Sequence, residues 1–447
     1  MWLIILLLLA IVFIIVATTK LRLHPFLALL MAAFSYGIMC GNMPLSEVVE
    51  SVNTGFGGTI GQIGIVILAG SVIGIFLERS GGAFQLARRT LQLVGQKNVP
   101  LAMSIIGYIV SIPVFCDAGF VILCPLAKAL SRKARTSFAA SAVALSLGLY
   151  ATHTMVPPTP GPLAAAALLG ADLGLVIVWG SVVSVVSLLV VWLFSARFAS
   201  RVQINLEPEP ERAPAEGVST EAPSALRSVT PIFLPILLIV LRSVGNLPAH
   251  WFGQGHLLTC IDFAGQPVVA LLIGVFLAFL LPKKLNAQML SPSGWVGDAV
   301  ISAASIIVIT GCGGAFGKVL QNSGISKVVA EHIGTSARLS IWLPFIIAAA
   351  LKTAQGSSTV AIITTANIMA PLLEPLGLAG PTHRALTVVA IGAGSMVVSH
   401  VNDSYFWVVT QLSKMSVKEG YKLQTLGTLV EGTVAAVALW LITQVVL

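Results

Sequence analysis

Pro113-Val114-Phe115-Cys116-Asp117-Ala118-Gly119-Phe120 cuts an apolar segment in two, and the reading of that cut decides the fold. The segment spans residues 100–130, between the basic stretches Arg79 to Lys97 and Lys128 to Arg135. Basic loops are retained on the cytoplasmic side of a membrane. A stretch that starts and ends on basic ground therefore enters and leaves from the same side, as a re-entrant hairpin with its tip at Cys116-Asp117-Ala118-Gly119. A second apolar stretch, 340–374, is broken in the same way by Gln355-Gly356-Ser357-Ser358.

The surrounding composition requires lipid as solvent. Of 447 residues, 56% are hydrophobic and only 9% charged, against about 25% charged in soluble domains. Apolar runs long enough to cross a bilayer, which takes ~20 residues of helix, recur from residue 3 to residue 446 and leave no room for a soluble catalytic domain. Trp2 to Thr18 lacks the basic start and cleavage site of a signal peptide and reads as a retained helix. The net charge of +8 reports where the basic loops lie and does not imply a nucleic-acid partner. The five cysteines form no CxxC pair and read as buried free thiols, and no HExxH motif or other metal-ligand set is present.

Counting the hairpins as non-crossing gives an all-α polytopic membrane fold of two inverted-topology repeats, each with five crossings, one of them broken. In the first repeat, 1–202, crossings are expected at 3–19, 24–41, 55–78, 138–170 (broken) and 174–195. In the second, 229–447, they fall at 229–244, 264–281, 298–318, 384–413 (broken) and 424–446. Of the 25 Lys and Arg, 19 then lie on the cytoplasmic side, and both termini are periplasmic. Gly70, Gly74, Leu77, Ser80 and Gly81 recur at constant offset as Gly313, Gly317, Leu320, Ser323 and Gly324, and His153 answers to His400. The polar, proline-rich stretch 203–228 reads as a cytoplasmic linker.

Carriers of this kind bind their cargo near mid-membrane, where broken helices offer free amides, carbonyls and helix ends. Four breaks are candidates for a substrate site. Asp117, at the first, is one of two acidic residues expected at mid-depth, where an unpaired carboxylate costs at least ~2.5 kcal/mol. The second, Thr152-His153-Thr154-Met155-Val156-Pro157-Pro158-Thr159-Pro160-Gly161-Pro162, cannot continue a helical ladder. Pro160 and Pro162 suit the first turn of a new half-helix, and Thr152, His153, Thr159 and Gly161 become candidate contacts. The third joins Lys352, Gln355 and Gly356 to the hydroxyls of Ser357, Ser358 and Thr359, which suit an anion or cap a helix. Lys352 either neutralises a carboxylate or snorkels to the periplasmic edge. The fourth, Ser399-His400-Val401-Asn402-Asp403-Ser404, is the densest polar run within any apolar crossing. Asn402 and the hydroxyls, Ser399 among them, can read substrate hydroxyl groups, and Asp403 or His400 can bind a proton or a cation. Ser399, His400, Asn402 and Asp403 are candidate substrate contacts, and Asp117, His153, His400 and Asp403 the candidate proton carriers. Glu431 is expected near the cytoplasmic end of the last helix, solvated or salt-bridged.

With these motifs in place the chain resembles the gluconate permease family of the ion transporter superfamily over its whole length. The resemblance is carried by His24-Pro25-Phe26-Leu27-Ala28-Leu29, Gly55-Phe56-Gly57-Gly58-Thr59, Ser80-Gly81-Gly82-Ala83 and Phe115-Cys116-Asp117-Ala118-Gly119-Phe120. It is sharpest at Gly313-Gly314-Ala315-Phe316, at Gln355-Gly356-Ser357-Ser358-Thr359-Val360-Ala361 and at Ser399-His400-Val401-Asn402-Asp403-Ser404-Tyr405-Phe406-Trp407. It implies symport of gluconate-like acids with protons across a bacterial inner membrane, no cofactor beyond the coupling ion, and a homodimer with moving transport domains. The family often has histidine where Thr159 stands and arginine where Lys352 stands. A shorter hydroxy acid such as glycerate, or D-serine, therefore competes with gluconate as the expected substrate. The rival readings are a sodium-coupled carboxylate carrier and a passive channel, with an intramembrane enzyme the most distant.

Overall fold

The computed structural model describes residues 2–95, 98–202, 204, 222–246, 255–325, 328, 341–401 and 403–446, and all regular structure among them is helical. Up to residue 202 the elements are α1 (Trp2–Thr19), α2 (Pro25–Met39), α3 (Leu45–Arg79), α4 (Gly82–Val94), α5 (Val99–Val110), α6 (Cys116–Ala134), α7 (Phe138–Met155), α8 (Pro160–Leu168) and α9 (Leu173–Arg197). Then follow α10 (Ala225–Gly245), α11 (His256–Ala264), α12 (Pro267–Ala278), α13 (Trp295–Asn322), α14 (Trp342–Gln355), α15 (Ser358–Met369), α16 (Pro381–Gly394), α17 (Ser404–Leu412) and α18 (Leu426–Val446). A helical turn at Val417–Gly420 and a π-helical turn at Tyr421–Thr425 lead into α18.

Among the described residues, five helical stretches are long and apolar enough to cross a membrane, and two bent pairs raise the number to seven. The chain is thus a multi-pass membrane protein. The outward face of α9 shows why: Val178, Val182, Val185 and Leu189 are exposed at one- and two-turn intervals, while Gly180, Val183, Ser184, Ser187 and Val191 face inward. The small inward residues let neighbouring helices approach closely. Among the described residues the interior has two large apolar clusters, one including Met103, Ile106, Phe120 and Leu145, the other Leu29, Phe316, Leu320 and Ile363, and a small third one of Ile177, Ile239 and Ala270.

Both expected hairpins are helix pairs. α5 and α6 are joined through Ser111–Phe115. α14 and α15 are joined at Gly356, whose φ of 83° is a left-handed conformation that glycine adopts without steric cost. The segments expected as broken crossings hold α7 with α8 and α16 with α17, each an interrupted pair of helices.

Three expectations need adjusting, and one element, α4, is unanticipated. The crossing at 55–78 is the 35-residue α3, because Gly55-Phe56-Gly57-Gly58 stays helical against α13. The crossing at 264–281 is a pair, α11 and α12, bent by 68° where Pro267 starts a new helix. The basic stretch after Arg79 contains the amphipathic α4, which buries Ala83, Leu86, Ala87, Thr90 and Leu91 on one face. The end of the expected linker is the first turn of α10, capped by the Ser224 hydroxyl on the Arg227 N–H. Apart from residue 204 and residues 222–228, that linker lies outside the described residues.

α3 and α13 pack glycine against glycine along a shared seam. A methyl group on Gly55 would meet the Gly314 carbonyl at 2.5 Å, and one on Gly314 would meet the Thr59 hydroxyl at 2.0 Å. At one end of this seam Arg79 and Asp298 form an ion pair of 2.6 Å.

Candidate functional site

Three helices begin at one place. α6 starts at Cys116, α15 at Ser358 and α17 at Ser404, and residues of all three starts line a single cavity of about 240 Å³. α7 completes the wall with Tyr150 and His153. Each helix start leaves backbone N–H groups without intrahelical partners and carries the positive end of the helix dipole. Three such ends around one space favour negative charge there, and the carboxyl groups of Asp117 and Asp403 stand in the same wall. The local sequence explains the starts: Ser357 caps α15 by accepting from the Val360 N–H at 3.3 Å, and Asp403 caps α17 by accepting from the Tyr405 N–H at 3.0 Å.

A buried charge pair joins two of the breaks, with Asp403 in the cavity wall and Lys352 behind it. Lys352, fully buried in the last turn of α14, donates to the Gly356 carbonyl and to Asp403 Oδ2 at 2.6 Å. Ser399 donates to the same carboxylate oxygen at 2.5 Å, so Asp403 is held on both oxygens. The Lys352 ammonium also lies 5.8 Å from the Tyr150 ring centre, and the Tyr150 hydroxyl bonds the Ser358 hydroxyl. Removing one member of such a pair leaves a buried charge uncompensated, at ~3–5 kcal/mol.

The structure brings Asp117, His153, Gly356, Ser357, Ser358, Thr359 and Asp403 together around this cavity. Asp117 is half-buried, with the Cys116 thiol 3.7 Å from its carboxylate, and among the described residues no cation is within salt-bridge distance of it. His153 is buried, its Nδ1 has no hydrogen-bond partner, and its ring centre lies 6.0 Å from that of Phe115. Of the two readings for Lys352, the structure has the neutralising one.

Other expected contacts do not line the cavity. The Thr152 hydroxyl donates to the Tyr108 carbonyl of α5 at 3.0 Å, because one helical step from His153 turns it towards the hairpin. Thr159 donates to the Val156 carbonyl at 2.8 Å and borders a separate void of about 10 Å³. Gly161 packs against Ile362 of α15. Ser399 lies behind Asp403 as described. His400 Nε2 is 2.8 Å from the Thr353 carbonyl and its ring stacks on Tyr421, so it fastens the fourth break to the second hairpin. Gln355 ends α14 with its side chain outside the description, and Asn402 lies outside the described residues.

Sequence reading missed Cys116, Tyr150, Ser404 and Tyr405 as lining residues. Helix spacing held the signal: Tyr150 precedes His153 by one turn, and Ser404 and Tyr405 follow Asp403 on the first turn of α17. Glu431 is also corrected. It is fully buried and neither carboxyl oxygen has a hydrogen-bond partner. The helical run of α18 begins at Val417 rather than near 424, which puts Glu431 roughly four turns deep.

A second, wider cavity of about 590 Å³ lies where α3, α13 and the ends of α8 and α15 meet, with Thr59, Gln62, Lys318, Asn367 and Arg384 on its walls. α15 runs from one cavity to the other, with Ser358 at the first and Asn367 at the second.

A family model described as GntP family permease matches residues 2–446. A gluconate permease of Pseudomonas aeruginosa is 33% identical over 434 residues, covering 94% of this chain and 92% of its own. The D-serine transporter DsdX of Escherichia coli is 32% identical over 448 residues, covering 100% of this chain and 99% of its own. Among solved structures, the YdaH transporter of Alcanivorax borkumensis matches with a TM-score of 0.65 at 15% identity, over 94% of this chain and 98% of that one, a likeness of fold.

Proposed function

The chain belongs to the GntP permease family and is a transporter, and from that premise we propose that it takes up a small hydroxy-carboxylate together with protons. The observation that carries this reading is the convergence of three helix starts on one small cavity whose wall includes Asp403, the ion-pair partner of the buried Lys352 ammonium. Its volume of about 240 Å³ falls below the ~300–1,000 Å³ of sites for drug-sized ligands, which suits a molecule of a few carbons. The amides and Lys352 receive the carboxylate, and Ser357, Ser358, Thr359 and Tyr150 receive hydroxyl groups.

Coupling follows from the charge pair. A proton bound at Asp403 Oδ2 from the outer side neutralises the partner of Lys352, and the ammonium, then unopposed, accepts the substrate carboxylate. On the inner side substrate and proton leave, and the pair closes again. Binding of either cargo favours the other, which is the thermodynamic content of symport.

The packing of the hairpins supports the inverted-repeat reading, and the positive-inside count adds five crossings in each half, a cytoplasmic linker and periplasmic termini to the proposal. A methyl on Gly148 of α7 would meet the Ser104 carbonyl of α5 at 2.3 Å, and one on Gly394 of α16 would meet the Phe345 carbonyl of α14 at 2.2 Å. In each half the broken helix thus lies glycine-first on the first helix of its hairpin. A homodimer in the bacterial inner membrane completes the proposal.

Asp117 favours a second reading. A cavity-facing carboxylate without a cation partner suits the ammonium of an amino acid such as D-serine, with the carboxylate end placed as before. Proteoliposomes under an imposed pH gradient, offered labelled aldonates, short hydroxy acids and D-serine with and without sodium, test both. Proton-driven accumulation of a hydroxy acid without sodium is expected. A strict sodium requirement, or downhill equilibration only, overturns the proposal.

A further inference from the structure

The buried carboxyl of Glu431 has no role in the exchange just described. Gln424, Thr428 and Glu431 follow one another at one-turn spacing on the inward face of the π-helical turn and α18. The first two are tied to the site. Thr428 accepts the Ser399 N–H at 3.1 Å, and Gln424 accepts from the Ser146 hydroxyl at 2.8 Å. The Ser146 carbonyl in turn accepts the Tyr405 hydroxyl at 2.9 Å, and Tyr405 lines the cavity. Glu431 lies one turn beyond Thr428, fully buried, with both oxygens unpartnered.

α18 packs against α7, α9, α14 and α16. Among the described residues none of these elements sets a charged side chain against the carboxyl, and the titratable group within electrostatic reach is Tyr405 of α17. In such a place an ionised carboxylate has neither water, cation nor donor to offset its charge, whereas the protonated form carries none. A membrane helix keeps such a group where the group has work to do.

We propose that Glu431 is a second proton-binding site of the transport cycle, behind the cavity wall and apart from the Lys352–Asp403 pair. Its oxygen gains a proton drawn from the outer side when the surrounding helices open that way, and loses it to water on the inner side, with no other reactant. The proposal rests on the proton-coupled reading above.

The test uses the full-length protein in proteoliposomes. Infrared difference spectra of the wild type should contain a protonated-carboxyl C=O band that Glu431→Gln lacks. Glu431→Gln should lose at least tenfold in pH-driven accumulation and lower the proton-to-substrate ratio, while counterflow exchange persists. Glu431→Asp should recover part of the accumulation. An unchanged proton-to-substrate ratio in Glu431→Gln overturns the inference, as does loss of counterflow together with accumulation, which marks a packing role. Should Glu431→Gln fail to reach the membrane, Glu431→Asp takes its place, and a wild-type band that is absent or unmoved in that variant is equally fatal. If the wild type itself moves no protons with substrate, the proton-coupled reading fails instead, and the infrared band still reports on Glu431.

Discussion

The Lys352 ammonium and the Asp403 carboxylate stand 51 positions apart in the chain and meet at 2.6 Å, one from the second hairpin and one from the fourth helix break. The pair therefore ties the second hairpin to the fourth break, and parting the two would expose or strand a buried charge.

Lys352→Met and Asp403→Asn each leave one buried partner uncompensated. Each single change should lower stability by ~3–5 kcal/mol and abolish uptake. The double variant should recover much of the stability and none of the uptake. Thermal unfolding in detergent and uptake in proteoliposomes check both halves, and two losses that simply add would contradict coupling between the residues.

Asp117 faces the cavity without a cation partner. Asp117→Asn should abolish proton-driven accumulation while the protein still reaches the membrane in wild-type amount, measured by quantitative immunoblot beside uptake. If D-serine is a substrate, its binding should weaken more than that of a hydroxy acid, because only the amino acid offers Asp117 a positive charge.

Gly356 forms the tip of the second hairpin with a φ of 83°. Gly356→Ala places a Cβ in the left-handed region at ~1–2 kcal/mol and tilts the carbonyl that Lys352 holds. Uptake should fall at least tenfold with only a small drop in melting temperature. A wild-type KM and kcat in this variant would show that the tip geometry is not used.

Thr152 spends its hydroxyl on the Tyr108 carbonyl, away from the cavity. Thr152→Val should cost ~1 kcal/mol of stability and leave the ranking of substrates in a competition assay as in the wild type. Ser358→Ala, by contrast, removes a cavity hydroxyl and the partner of Tyr150, and should change that ranking.

The four breaks were legible in the sequence because proline, glycine and charge inside apolar stretches leave few alternatives to an interrupted helix. The chain's own helix starts, such as Ser358 and Ser404, follow directly from them. What could not be read was direction. A single residue step rotates a side chain by about 100° around a helix, which is all that separates His153, at the cavity, from Thr152, at α5. Nor does linear order reveal that Lys352 finds Asp403, since their meeting depends on how a hairpin docks against a distant break. Glu431 lies deeper than its sequence position suggests because hydropathy locates a helix start only to within a turn or two, and the turn at Val417–Gly420 extends the final helical run.

The seam between α3 and α13 has a mechanical meaning. Where Gly55 lies on the Gly314 carbonyl, sliding one rod along the other would force an oxygen over an α-carbon, so the two advance or rest as a single beam. Displacement during the cycle then falls to the seams lined by longer side chains. Two spin labels set across this beam should report one unchanging separation, and so furnish an internal ruler against which every other excursion of the molecule can be gauged.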